Sequence, residues 1–314
     1  MTRHLFGAVL TGHGTAANNR GENEGNITTL QKLLWRGEVH TTVSAEAIRW
    51  AVRYYWQQHA EGESHDLTTN RYWDDEANDN KWRDENWTGW DTPEGRRYID
   101  DDVLGFMRAE AAKEEGGDAV AGSEGKGGKK KRLKGTIINR RGVLEITRAV
   151  STTPFVGDIT FNAKSGTKTN TSLYGTEVHA TRYQYGFALT PSRLHRPERA
   201  LNVLDALCSL GEVAGNHSRF LYDFSPESIV LRWTYDFAPR LLYCFETPGA
   251  DAVDAPTLLM RAQAGDIDPK ELVVGGMLAG TETGEALKGL GAEVHAGVKA
   301  AAGAMLGRLR GELA

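Results

Sequence analysis

Residues Gly12-His13-Gly14-Thr15-Ala16-Ala17 match G-x-G-x-x-A. That spacing lets backbone approach a pyrophosphate at a helix N-terminus. The next residues, Asn18, Asn19, Arg20, Gly21, Glu22 and Asn23, form a polar loop rather than an apolar helix. The match is read as a decoy for a dinucleotide site. Glu177 and His179 stand two apart and share a face if they lie on a strand, as an acid–base pair requires. A pair of hydrogen-bonding surface residues is the commoner outcome and the expected one. The chain holds no G-x-x-x-x-G-K-[ST] and no H-E-x-x-H, and Cys208 and Cys244 lack metal-ligand spacing. No catalytic triad, metal site or cofactor is assigned.

Other residues suit a polyanion. The segment His13 to Asn26 (HGTAANNRGENEGN) is rich in small residues and amides, with Arg20 near its centre. Small residues expose backbone N–H groups, and Asn18, Asn19, Arg20 and Asn26 can bond phosphate or sugar oxygens. The bland alternative is a turn-rich connection. Arg49 and Arg53 are one helical turn apart and read either as a phosphate clamp or as solvent-facing residues. Thr152 to Arg182 carries Lys164, Lys168, His179 and Arg182 among many Thr, Ser, Asn and Gly residues. An extended hairpin between two strands has this composition. Phe155, beside Val156 in Pro154-Phe155-Val156-Gly157, is either a wedge against stacked bases or a packing anchor.

The elements that position these residues show in the apolar pattern. His4 to Thr11 (HLFGAVLT) reads as a buried strand. Ser44 is a helix N-cap, and Ile48, Ala51, Val52 and Tyr55 recur at helical spacing until about Gln58. Val143 to Val150 and Tyr183 to Thr190 read as strands, and Pro197 opens a helix carrying Ala200, Val203, Leu204, Leu207 and Cys208. Ile229, Leu231, Trp233, Tyr235 and Phe237 alternate as a further strand. The order is β-α-β-β-α-β, which predicts an α+β fold of ferredoxin-like or RNA-recognition-motif type. Tyr185-Gly186-Phe187-Ala188 matches only the core of an RNA-recognition signature, so its aromatics are expected to pack inside. Residues 254–314 are expected to form a C-terminal helical region, from Thr257 to Gln263 and from Glu282 to Leu313.

Net charge is −5 over 314 residues, which excludes a uniformly basic nucleic-acid binder. The average conceals two opposed stretches. Residues 61–102 hold 14 acids and 5 bases, while residues 126–148 hold 9 bases and one acid. The acidic stretch contains Trp73, Trp82, Trp87 and Trp90, and reads as a solvated insertion whose indoles pack on the main body. Residues 114–131 read as a linker. Two cysteines in apolar runs, no membrane-length segment and no signal peptide point to a cytoplasmic protein with no membrane partner.

Three segments together resemble a known family. Ser44-Ala45-Glu46-Ala47-Ile48-Arg49-Trp50-Ala51-Val52-Arg53 is similar to the first-helix motif of the DevR-type autoregulators. Thr153-Pro154-Phe155-Val156-Gly157-Asp158-Ile159-Thr160-Phe161-Asn162 and Glu177-Val178-His179-Ala180-Thr181-Arg182-Tyr183-Gln184-Tyr185 resemble its middle motif. This is the Cas-seven branch of CRISPR-associated proteins, and the resemblance covers most of residues 4–240. It implies a non-catalytic backbone subunit of a type I, I-B-like, Cascade. Its partners would be CRISPR RNA, the target DNA strand paired to the guide, further copies of the chain in a helical filament, and Cas-five-like, large and small subunits. It also implies a modified palm with inserted fingers (61–134) and a thumb hairpin (152–182) in a single domain. His13, Asn18, Asn19, Arg20, Asn26, Arg49, Arg53, Lys164, Lys168, His179, Arg182 and Gln184 would face RNA, with Phe155 and Val156 as the thumb wedge. The alternatives are a guide-directed RNA endonuclease of type III character, using Asp158, Glu22 or Glu24, and a regulator that binds its own operon.

Overall fold

The structure is a computed structural model, which describes residues 2–17, 23–61, 66–88, 90, 98–109, 137–163, 173–214, 221–249 and 251–313. The chain opens with β1 (His4–Thr11), buried along its whole length. The short strands β2 (Gly14–Ala16), β3 (Asn23–Glu24), β4 (Ile27–Thr28), β5 (Lys32–Trp35) and β6 (Glu38–Val43) follow. Helix α1 (Ala45–His59) begins where Ser44 Oγ accepts from the Ala47 N–H at 3.2 Å, the cap that the spacing predicts. Its buried face carries Ile48, Ala51, Val52 and Trp56.

The inserted segment contains the hairpin β7 (Arg71–Asp74) and β8 (Asp79–Trp82), then α2 (Ile99–Val103) and β9 (Gly105–Ala109), which pairs with β10 (Ile137–Arg141). Only some of its indoles pack on the main body: Trp73 and Trp90 reach it, Trp87 packs within the insertion, and Trp82 is exposed. Trp73 lies edge-on to Trp50 at 6.1 Å, and Trp87 stacks on Phe106 at 4.9 Å. Its acids are not all solvated, however. Asp100, Asp101 and Asp102 are buried, and each is held by donors distant in sequence. Asp100 accepts from Arg53 at 3.0 Å and from the Asn70 N–H at 2.6 Å. Asp101 accepts from Trp87 Nε1 at 2.9 Å. Asp102 accepts from Arg140 at 2.6 Å and Arg199 at 2.8 Å.

The chain continues through β11 (Glu145–Ile146), β12 (Ala149–Ser151), β13 (Ile159–Ala163), β14 (Leu173–Glu177), β15 (His179–Thr181) and β16 (Tyr183–Leu189) to α3 (Arg199–Leu207) and β17 (Pro226–Thr234). The strand expected over Val143 to Val150 is two strands. Thr147 Oγ1 takes the place of a ladder carbonyl, accepting from the Gly186 N–H at 2.9 Å, and so interrupts the extended run. Tyr235 and Phe237 also fall outside β17 and are 51% and 73% exposed. Asp236 ends that strand by accepting from the Ala238 N–H at 3.0 Å and Arg240 Nε at 2.8 Å.

The C-terminal part contains β18 (Glu246–Gly249), β19 (Ala252–Asp254), α4 (Pro256–Gln263), β20 (Leu272–Gly276), α5 (Glu282–Gly289), β21 (Glu293–His295) and α6 (Val298–Leu313). It contains helices but also adds two strands to the main sheet, and β21 interrupts the helical stretch expected from Glu282 to Leu313. Among the described residues that sheet runs β21-β20-β17-β1-β16-β12-β6-β5, with β11 beside β16. Strand β1 is antiparallel to both β16 and β17. One face buries Leu5, Val9, Tyr185, Phe187, Ile229 and Leu231 under α1, α3 and α6. The other buries Phe6, Ala8, Leu10, Val230 and Val274 beneath residues of α4, α5 and 241–255. Coverage on both sides explains why β1 is continuously apolar. Tyr185 and Phe187 are core residues, each 1% exposed. Gly7 faces Phe187 across the ladder, where a Cβ would lie 2.1 Å from the Phe187 ring. Cys208 and Cys244 are buried free thiols. Among the described residues no helix is long and apolar enough to cross a membrane.

Candidate nucleic-acid interface

Strands β13 and β14 form an antiparallel hairpin, with Ile159 opposite Glu177 and Ala163 opposite Leu173. The hairpin leaves the main sheet between β12 and β16. Strand β14 also pairs in parallel with β4, which gives a separate small sheet in the order β13-β14-β4-β3. The first loop is thereby joined to the hairpin, and the Gly175 N–H donates to the Asn26 carbonyl at 2.8 Å. Glu177 makes the same connection through side chains. It accepts from the Leu30 N–H at 2.7 Å and from Lys32 Nζ at 2.6 Å. Glu177 and His179 therefore have separate partners and form no acid–base pair.

Apolar side chains project from this region. Val156 is 81% exposed, Phe161 74% and Ile159 42%. Ile159 and Phe161 share a hairpin face by the period of two. Gly157, at φ +90°, turns the chain into the hairpin in a conformation that a side chain disfavours. Phe155 is half-buried. Its N–H donates to the Val39 carbonyl at 2.7 Å, its ring sits edge-on to His179 at 5.5 Å, and Lys32 Nζ lies 4.8 Å from its centre. It is anchored at the hairpin root, while Val156 is the residue that protrudes.

The root is organised around His179, which is buried where β15 pairs with β2. Nδ1 lies 2.8 Å from Thr41 Oγ1, and Nε2 lies 3.3 Å from Thr153 Oγ1. Thr41 Oγ1 is in turn 2.9 Å from the Tyr183 hydroxyl, and Thr153 donates to Thr181 at 2.8 Å. One proton order satisfies every group: Tyr183 to Thr41 to His179 Nδ1, then His179 Nε2–H to Thr153 to Thr181. That order requires a neutral ring. Burial favours the same state by pushing the His179 imidazole down to about 4, against the opposing hydrogen bond to the Pro154 carbonyl. Nearby, His40 Nδ1 lies 2.7 Å from the Ser151 carbonyl. Neither this polar network nor the role of Lys32 carries a local sequence signal, because the partners are 26 to 145 residues apart.

The structure brings His13, Asn26, Phe155, Val156 and His179 into this one region, with His13 and Asn26 exposed. Asn18, Asn19, Arg20, Glu22, Lys164 and Lys168 lie outside the described residues. Five expected contacts face inward instead, the first being His179, which is 4% exposed in the network above. Arg49 donates to the Leu144 carbonyl at 3.1 Å and also to the Leu104 carbonyl. Arg53 is paired with Asp100, so the two arginines brace the inserted segment rather than forming an open clamp. Arg182 is 3% exposed and paired with Glu227 at 2.6 Å. Gln184 is buried, and its Nε2 donates to the Phe245 carbonyl at 3.1 Å. Asp158 is exposed at the root, and Glu24 lies exposed on β3.

No protein-family model matches the chain. The CRISPR-associated protein Cas7/Cst2/DevR of Myxococcus xanthus (strain DK1622) is 49% identical to it, over 98% of each chain. Two solved structures share the fold. One, described as a CRISPR RNA-guided surveillance complex, matches at TM-score 0.53 and 14% identity, covering 97% of this chain and 99% of that one. The other, described as a CRISPR RNA-guided surveillance complex, pre-nicking, matches at TM-score 0.57 and 11% identity, covering 98% and 100%.

Proposed function

The chain belongs to the Cas7/Cst2/DevR family of CRISPR-associated proteins, and from that premise we propose that it is a non-catalytic, guide-RNA-binding backbone subunit of a type I, I-B-like, surveillance complex. Several copies bind along one CRISPR RNA with other subunits of the complex, in the cytoplasm, and hold the guide for pairing with target DNA. Base pairing then reads sequence while the protein reads backbone and shape. The full-length identity to a family member carries the reading. The hairpin with its exposed Val156, Ile159 and Phe161 supports it, as a projecting element that can interrupt a row of stacked bases.

The palm is a modified ferredoxin-like fold on this reading, supported by the central order β17-β1-β16-β12 with α1 and α3 on one face. The hairpin is the thumb, and residues 61–134 include the fingers. Exposed His13, Asn26 and Val156 contact RNA together with Asn18, Asn19, Arg20, Lys164 and Lys168. Purified protein is expected to retain RNA of discrete length, to bind single strands without sequence preference, and to lose affinity as salt rises. Tight binding to only one defined sequence would sink the proposal.

A further inference from the structure

Among the cavities of the described surface, two are lined by charged residues and by none of the hairpin. One, of about 380 Å³, has Arg3, Lys270 and Arg308 balanced by Asp268, Glu271 and Glu312. The other, of about 330 Å³, is different in charge: Arg140, Arg141 and Arg193 line it against the single acid Glu145, beside Trp90 and Asn139. Trp90 is fixed by its neighbours. It is edge-on to Phe106 at 5.1 Å and to His195 at 5.0 Å, and the Arg140 guanidinium lies 5.0 Å from its ring centre. Arg140 itself is engaged by Asp102 and by the Arg193 carbonyl.

The other two arginines are available. The Arg141 side chain is 83% exposed and meets Glu145, itself 55% exposed, in a surface pair of little strength. Arg193 is exposed. A clamped indole, two solvent-facing cations and the Asn139 amide are the set that single-stranded RNA uses: a stacking surface, phosphate neutralisation and a donor for base edges. The balanced cavity lacks that excess of positive charge.

We propose that the Trp90 cavity is a second contact for single-stranded RNA, with a base against Trp90 and phosphates on Arg141 and Arg193. The cavity lies at the opposite end of β16 from the hairpin root, because Glu145 pairs with Ala188 whereas Ser151 pairs with Tyr183. This inference rests on the proposed guide-RNA binding.

The test measures anisotropy of labelled oligouridine RNA over a salt series, using the full chain. The double variant Arg141→Glu with Arg193→Glu is expected to bind at least about tenfold more weakly, with a log K against log salt slope shallower by about 1.4 for two lost phosphate contacts. Both side chains are exposed, so an unchanged urea midpoint verifies folding. Lys288→Glu with Arg310→Glu, at exposed positions elsewhere, is the control for net charge. Photocrosslinking of bromouridine RNA is expected to map to the peptide containing Trp90. Unchanged affinity and slope in the first pair, an equal loss in the control, or crosslinks confined to other peptides would overturn this site alone. Failure of the wild-type chain to bind any RNA would overturn this site and the guide-RNA reading together.

Discussion

His179 shows how much of the hairpin root depends on one protonation state. Its folded value of about 4 lies below the 6.5 of a free imidazole, so the unfolded chain takes up the proton more readily between those values. Stability present at neutral pH is therefore lost as pH falls through that window, by about 1–2 kcal/mol between about pH 7 and pH 5. Burial is the main cause; the hydrogen bond to the Pro154 carbonyl and, less, Asp158 oppose it, while His40 and His13 add to it. His179→Gln should flatten the change in urea midpoint between those two pH values; an identical change in the variant would show that His179 is not its source. At this scale the sequence is legible where partners are local. Ser44 is read correctly as a cap because the N–H it receives is three residues away. The bracing by Arg49 and Arg53 is not legible, because the carbonyl and carboxylate that hold them arrive from residues 100–144, which helical spacing does not reveal.

Among elements, the anchoring of the inserted segment is the least legible feature. Counting charges predicts a solvated acidic stretch. The fold instead draws Asp100, Asp101 and Asp102 inward, where arginines from α1, β10 and α3 meet two of them. Asp102→Ala leaves Arg199, 1% exposed, as an uncompensated buried charge, and should lower stability by about 3–5 kcal/mol. Urea unfolding measures this, and a loss below about 1 kcal/mol would contradict the buried-pair account. Helix α1 and strands β1, β16 and β17 were legible from periodicity because each buries a continuous or alternating apolar set. The division of β11 from β12 was not, since it depends on a threonine hydroxyl replacing a backbone acceptor.

In the whole molecule, the central strands of the main sheet are covered on both faces. The C-terminal part supplies β20 and β21 and much of one cover, so it belongs to the same core as β1. Truncation after Asp254 should expose Phe6, Leu10 and Val230 and also remove α6 from the opposite face. The fragment is expected to aggregate or to bind a hydrophobic dye, as exposed core surface does. A soluble fragment with a cooperative unfolding transition would mean instead that residues 2–254 fold alone. The low periodic contrast of the Ala- and Gly-rich sequence over 282–313 explains why helices were legible there but the intervening β21 was not.

Strand β16 has seven residues, or about 23 Å of extended chain. Packed from both sides, it can neither stretch nor bend appreciably, and its two ends carry the hairpin root and the Trp90 cavity. If RNA binds at both places as proposed, the strand would act as a gauge. A polynucleotide spanning both ends would then be held to a length set by the number of residues in that strand.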